Sequence, residues 1–179
     1  MKDLKVLIIE DYKPHFEYIL NALLDIDVEY SSIYPYLYSA FIKLKLDDKL
    51  DSNNYSKKDD FTLFKDLFKR IKDDNREDIF KLLNKSIDFN SFNYIVLDIG
   101  LKGSSDNEGL QLYKFILDLG FNKEKIIIVS SLSLSNTNEE LKKVDDSLDK
   151  ITKNQHEIKS DSGVYGKKIA NTIKDLENE

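Results

Sequence analysis

Three short apolar runs, each ending in side chains that carry chemistry, constrain this chain more than any other feature. Lys5–Ile9 (KVLII) runs into Glu10 and Asp11, residues 94–97 (YIVL) run into Asp98, and residues 125–129 (KIIIV) run into Ser130 and Ser131. Continuous apolar runs of this kind suit strands buried on both faces, because a strand with one wet face alternates apolar with polar residues. Helix-period segments lie between and after them. Behind Pro14, which suits a first helical position, Phe16, Ile19, Leu20, Leu23 and Leu24 form one apolar stripe. Leu110, Tyr113, Ile116 and Leu117 form a second, Leu141 and Val144 mark a third, and Ile169, Ile173 and Leu176 a last. Weaker strands are expected at residues 28–33 and, more polar, at 148–152. Strands alternating with helices predict an α/β fold, a doubly wound five-stranded parallel sheet with helices on both faces.

The stretch between the second and third strands is longer than one crossover needs. Residues 35–46 fit either a helical or a strand period, and residues 47–60 (DDKLDSNNYSKKDD) are too polar to bury surface. Two helical patterns follow, Phe61, Phe64, Phe68 and Ile71, then Ile79, Phe80, Leu83 and Ile87, with Asn75 placed as a cap before Glu77 and Asp78. Residues at about 31–90 are therefore expected to be a helical insertion within a single domain spanning 1–179. Such an insertion either docks a partner or shields a sheet edge, and only the second demands that Phe61, Phe64 and Phe68 be buried.

Composition narrows the function classes. A formal charge of −6 provides no basic field to gather nucleic-acid phosphates. The chain has no cysteine, which excludes disulfides and thiolate metal sites and fits a cytoplasmic setting. Glu10 and Asp11 interrupt the first apolar run before a signal-peptide core could form, and no later run reaches membrane-spanning length. His15 and His156 are too few for a histidine-based metal site and read as surface or packing residues. Neither a GxGxxG turn nor a GxxxxGK[ST] loop follows a strand, so nucleotide-cofactor binding is not expected.

In an open parallel sheet, ligands sit beyond the carboxyl ends of the strands. Glu10, Asp11, Asp98 and Ser130 occupy such ends, and Lys153 follows the last expected strand; Ser131 and Lys159 compete with Ser130 and Lys153. Carboxylates about 4 Å apart repel by about 4 kcal/mol at an effective dielectric near 20, so the cluster calls for a cation. Mg²⁺ suits it, taking one or two carboxylates, waters and a phosphate oxygen, while a remaining carboxylate oxygen serves as nucleophile. A lysine and a hydroxyl then hold the phosphoryl oxygens.

An acidic pair after strand 1, Asp after strand 3, Ser after strand 4 and Lys after strand 5 together resemble the response regulator receiver family. The downstream text agrees: Asp98-Ile99-Gly100-Leu101 leads to Gly109-Leu110-Gln111-Leu112, like the family's acceptor loop and helix start. The resemblance covers residues 1 to about 30 and 92–179. It implies a flavodoxin-like fold, phosphorylation of Asp98, Mg²⁺ held by Glu10, Asp11, Asp98 and the Gly100 carbonyl, a switch hydroxyl on Ser130 and the family's lysine at Lys153. It further implies a sensor histidine kinase or phosphotransfer protein as donor, and no enzymatic activity beyond phosphorylation and dephosphorylation at Asp98.

The chain departs from the family at three places. The loop after Asp98 (LKGSSDNEG) is long and carries Lys102 where proline is customary, Asn154 replaces a cis-proline after Lys153, and Lys150 replaces an aromatic residue three positions before it. A cis bond before a non-proline residue costs about 2.5–4 kcal/mol, so a trans bond is expected at Asn154. Few polar residues follow the last helix, so output is expected through protein contacts. A pseudo-receiver that binds without being phosphorylated is the alternative. A Mg²⁺-dependent phosphatase of the haloacid-dehalogenase type is less favoured, because Gly100 stands where such enzymes place a second Asp.

Overall fold

The computed structural model describes residues 4–33, 36, 69–72, 74–101, 108–160 and 164–178. Five strands, β1 (Lys5–Ile9), β2 (Glu29–Ser32), β3 (Tyr94–Asp98), β4 (Ile126–Ser130) and β5 (His156–Ile158), form one sheet in the order β2-β1-β3-β4-β5. Every neighbouring pair is parallel, so the fold is flavodoxin-like α/β. The helices are α1 (Lys13–Leu24), α2 (Arg76–Ser86), α3 (Glu108–Asp118), α4 (Leu134–Val144) and α5 (Val164–Asn178).

Strand pleating sends alternate residues of the apolar runs to opposite faces. Val6, Ile8, Val96, Ile127 and Val129 meet Phe16, Ile19 and Leu23 of α1 and Tyr165, Ile169 and Ile173 of α5. Leu7, Ile9, Ile95, Leu97, Ile126 and Ile128 meet Ile79, Phe80 and Leu83 of α2, Leu110, Tyr113 and Ile116 of α3, and Leu141 of α4. Truncating any of the fully buried leucines or isoleucines to Ala costs about 2–5 kcal/mol. Glycine permits two close approaches. A Cβ on Gly166 would lie 2.4 Å from the Tyr18 carbonyl oxygen, and one on Gly109 would lie 2.3 Å from Ile99 Cα. These positions let α5 close on α1 and let α3 rest on the loop that follows β3.

Two expectations change. First, α2 is not surplus. With Ile79, Phe80 and Leu83 buried, it is, among the described residues, the crossover helix that brings the chain past β1 from β2 to β3. Ile71, the last member of the preceding stripe, is fully buried, whereas Phe61, Phe64 and Phe68, like most of the expected insertion, lie outside the described residues. Asn75 stands at the N-cap of α2, but its side chain faces backward, accepting from Lys72 N–H at 2.8 Å and donating to the Arg70 carbonyl at 3.1 Å.

Second, residues 148–152 are not a strand. Ile151 is buried there, but its backbone bonds to a side chain: its N–H donates to Asn138 Oδ1 at 2.8 Å, and its carbonyl accepts from Asn138 Nδ2 at 3.1 Å. A 3₁₀ turn, Lys153–Gln155, follows. Gln155 Oε1 accepts from the Thr152 N–H and hydroxyl, both at 3.0 Å, and Gln155 Nε2 donates to the Lys123 carbonyl at 2.6 Å. The last strand therefore begins at His156, and the residue at its carboxyl end changes accordingly.

Candidate phosphoacceptor and metal site

Sheet register brings the strand ends together. Ile9 pairs with Leu97, which puts Glu10 level with Asp98, and Asp98 pairs with Val129, which leaves Ser130 one residue beyond. Glu10, Asp11, Asp98 and Ser130 are all buried polar residues. One ligand oxygen from each of the three carboxylates lies within 4.8 Å of the others. At that separation two unit charges repel by about 3–4 kcal/mol at an effective dielectric near 20, so the cluster needs positive charge nearby.

Lys159 supplies it. The Lys159 backbone N–H donates to the Ser130 carbonyl at 2.8 Å, extending the β4–β5 ladder by one bond and fixing where its side chain leaves the sheet. Nζ then lies 2.7 Å from Asp98 Oδ2 and 2.9 Å from Glu10 Oε2, and donates to Glu10 Oε1 at 3.2 Å. The expected Lys153 is not at the site: it is exposed, in the 3₁₀ turn at the opposite end of β5. The displacement of the last strand from 148–152 to 156–158 accounts for the change of lysine.

Glu10 and Asp98 are also held by backbone. Glu10 Oε1 accepts from the Tyr12 N–H at 3.0 Å, and Asp98 Oδ1 accepts from the Gly100 N–H at 2.8 Å. Ser130 Oγ accepts from the Leu132 N–H at 2.9 Å, which orients the hydroxyl expected to act there. Burial, with the charge of Asp98, pushes the Glu10 carboxyl up to about 8 despite the opposing pull of Lys159. Burial lowers Lys159, but Asp98 and Glu10 outweigh it and hold the ammonium above its usual range. Tyr165 on α5 is raised by burial and by the field of Glu10 and Asp98, and its ring oxygen lies 2.6 Å from His15 Nδ1.

The donor set fits a hard divalent cation. It consists of carboxylate oxygens, exceeds the charge of Lys159, and includes Glu10 Oε2, a buried oxygen with an ion-pair partner but no hydrogen bond. Glu10, Asp11 and Asp98 would hold such an ion.

Three residues before Lys159 stands His156 rather than Lys150. It is buried, and its Nε2 lies 3.1 Å from Thr137 Oγ1 of α4. The peptide bonds among the described residues are trans, and Lys159 is followed by Ser160.

No protein-family description matches the chain, and no curated protein matches it. A solved fusion protein described as the yeast Spc42 trimeric coiled coil, amino acids 181–211, joined to another structure, superposes with a TM-score of 0.51 at 16% identity. That alignment covers 99% of this chain and 84% of the other, and at such identity it speaks to overall fold alone. Among the described residues, no helix is long and apolar enough to cross a membrane.

Proposed function

We propose that this chain is a receiver-type phosphoacceptor domain of a two-component or phosphorelay system, taking a phosphoryl group on Asp98. One observation carries the reading. Lys159 Nζ bridges Asp98 and Glu10 in the crevice beyond the strand ends, with Asp11 beside them and the Ser130 hydroxyl on the neighbouring strand. Transfer would join an Asp98 carboxylate oxygen to phosphorus as the phosphorus–donor bond breaks, the electron pair leaving with the donor group. Mg²⁺, when bound, would neutralise charge on the incoming phosphoryl oxygens. Lys159 then exchanges its Asp98 contact for a phosphoryl oxygen, Ser130 turns its hydroxyl toward another, and the Gly100 N–H holds Asp98 in place. The donor is a sensor histidine kinase or phosphotransfer protein, output passes through protein contacts, and the setting is cytoplasmic.

A specific observation favours a second reading, a pseudo-receiver. Lys159 is shared with Glu10, so metal binding through Glu10 must compete with an ion pair already made. Intact mass after incubation with Mg²⁺ and acetyl phosphate separates the two. A receiver gains one phosphoryl mass in Mg²⁺ and none in chelator, whereas a pseudo-receiver gains none in either.

A further inference from the structure

We propose that Arg76, at the start of the crossover helix α2, is a positioning residue for Asp98, coupling the long β2–β3 connection to the acceptor loop. The inference rests on the phosphoacceptor reading for what is positioned, but its geometry stands apart. Glu108 is the first residue of α3 and is almost completely buried, at 2% exposure. A carboxylate so placed requires a hydrogen-bonded cation. Arg76 provides one in a two-pronged arrangement, Nε donating to Oε2 at 3.1 Å and a terminal nitrogen donating to Oε1.

The next residue carries this contact to the site. Gly109 packs so tightly on the acceptor loop that a Cβ there would lie 2.6 Å from the Asp98 carbonyl oxygen and 2.3 Å from Ile99 Cα. The first turn of α3 therefore rests on the backbone that presents Asp98 and the Gly100 N–H. Arg76 fixes that turn from outside. Its own approach is fixed in turn, because the Arg76 N–H donates to the Lys72 carbonyl at 2.8 Å and Asn75 ties together the backbone of Lys72 and Arg70. Rings in tilted contact further along, Phe80 of α2 and Phe115 of α3 with centroids 5.0 Å apart, keep the two helices in register. A displacement at residues 70–76 is thus transmitted through Arg76, Glu108 and Gly109 to Asp98 and Gly100.

The test compares Arg76→Ala, Arg76→Lys, Glu108→Gln and Arg76→Ala/Glu108→Gln, with Lys81→Ala, from an exposed pair on the same helix, as control. Two readouts are used, the rate of phosphoryl loading from acetyl phosphate at saturating Mg²⁺, and hydrogen exchange at the Gly100 amide. Arg76→Ala should slow loading about tenfold or more and speed Gly100 exchange, because small misplacements of reacting groups are costly. Arg76→Lys keeps the charge but loses the fork, so it should recover only part of both effects. The double variant removes the buried charge along with its cation. It should regain thermal stability without regaining the loading rate, which a purely structural role would restore. Folded Arg76→Ala protein with unchanged Gly100 exchange and unchanged loading overturns the proposal. Absence of loading in the unaltered protein instead overturns the phosphoacceptor reading, and Gly100 exchange then decides the positioning claim by itself.

Discussion

Replacing Lys159 with Met tests the site through stability before any chemistry is measured. At an effective dielectric near 20, the ammonium attracts Asp98, at 2.7 Å, by about 6 kcal/mol, and Glu10, at 2.9 Å, by about as much once Glu10 is ionised. Desolvation of three buried ionic groups offsets much of this, so the net loss falls in the range for breaking a buried pair, about 3–5 kcal/mol. At about 2–4 °C per kcal/mol for a domain of this size, the melting temperature should drop by about 6–20 °C. The deficit should also depend on pH. Glu10 already has a raised pKa, and losing Lys159 removes the cation that lowers it. A carboxyl raised in the folded state contributes stability below its unfolded pKa and loses it as pH rises through the folded value. The variant's deficit should therefore grow from about pH 6 to about pH 8.5. Thermal melts followed by circular dichroism at both values measure it, with Lys153→Met as comparison, expected within about 0.5 kcal/mol of the unaltered protein because Lys153 is exposed. A Lys159→Met melt matching the unaltered protein, or a larger loss in Lys153→Met, would refute the assignment of the site lysine.

Other outcomes follow from the same geometry. Mg²⁺ affinity measured by calorimetry should rise as pH rises through about 8, because the ion must replace the proton on Glu10, and Glu10→Gln should weaken binding and flatten that dependence. Burial lowers the pKa of His156 below 6.5, so the unfolded chain takes up a proton that the folded one resists; urea midpoints should fall as pH drops from about 7 to about 5.5, and His156→Gln should remove that component. Gly109→Ala drives a methyl into backbone at Asp98 and Ile99, and it should cost at least about 1–3 kcal/mol in chemical denaturation while slowing phosphoryl loading.

The fold was legible where strands are central. β1, β3 and β4 are buried on both faces and read as unbroken apolar runs, so their ends, and with them Glu10, Asp11, Asp98 and Ser130, could be placed from residues alone. The edge strands carry no such signature. β2 is Glu-Tyr-Ser-Ser and β5 only His-Glu-Ile, each half solvated, so apolar Leu148 and Ile151 drew the expected strand too early. One local signal pointed the other way: Thr152 and Gln155 have capping-box spacing, which marks a turn rather than a strand at 152–155. Reading it would have moved the strand past 155 and favoured Lys159. The Arg76–Glu108 pair had no comparable signal. Its members are 32 residues apart, on helices whose packing only the crossover determines.

The identity of the acceptor residue decides whether this site takes a phosphoryl group. Protein incubated with Mg²⁺ and acetyl phosphate can be reduced with borohydride, which converts an acyl phosphate to an alcohol, and then mapped by peptide mass. Reduction is expected at Asp98, lost in Asp98→Asn and in chelator. Reduction at any other carboxylate, or a phosphoryl adduct that survives in Asp98→Asn, would contradict it.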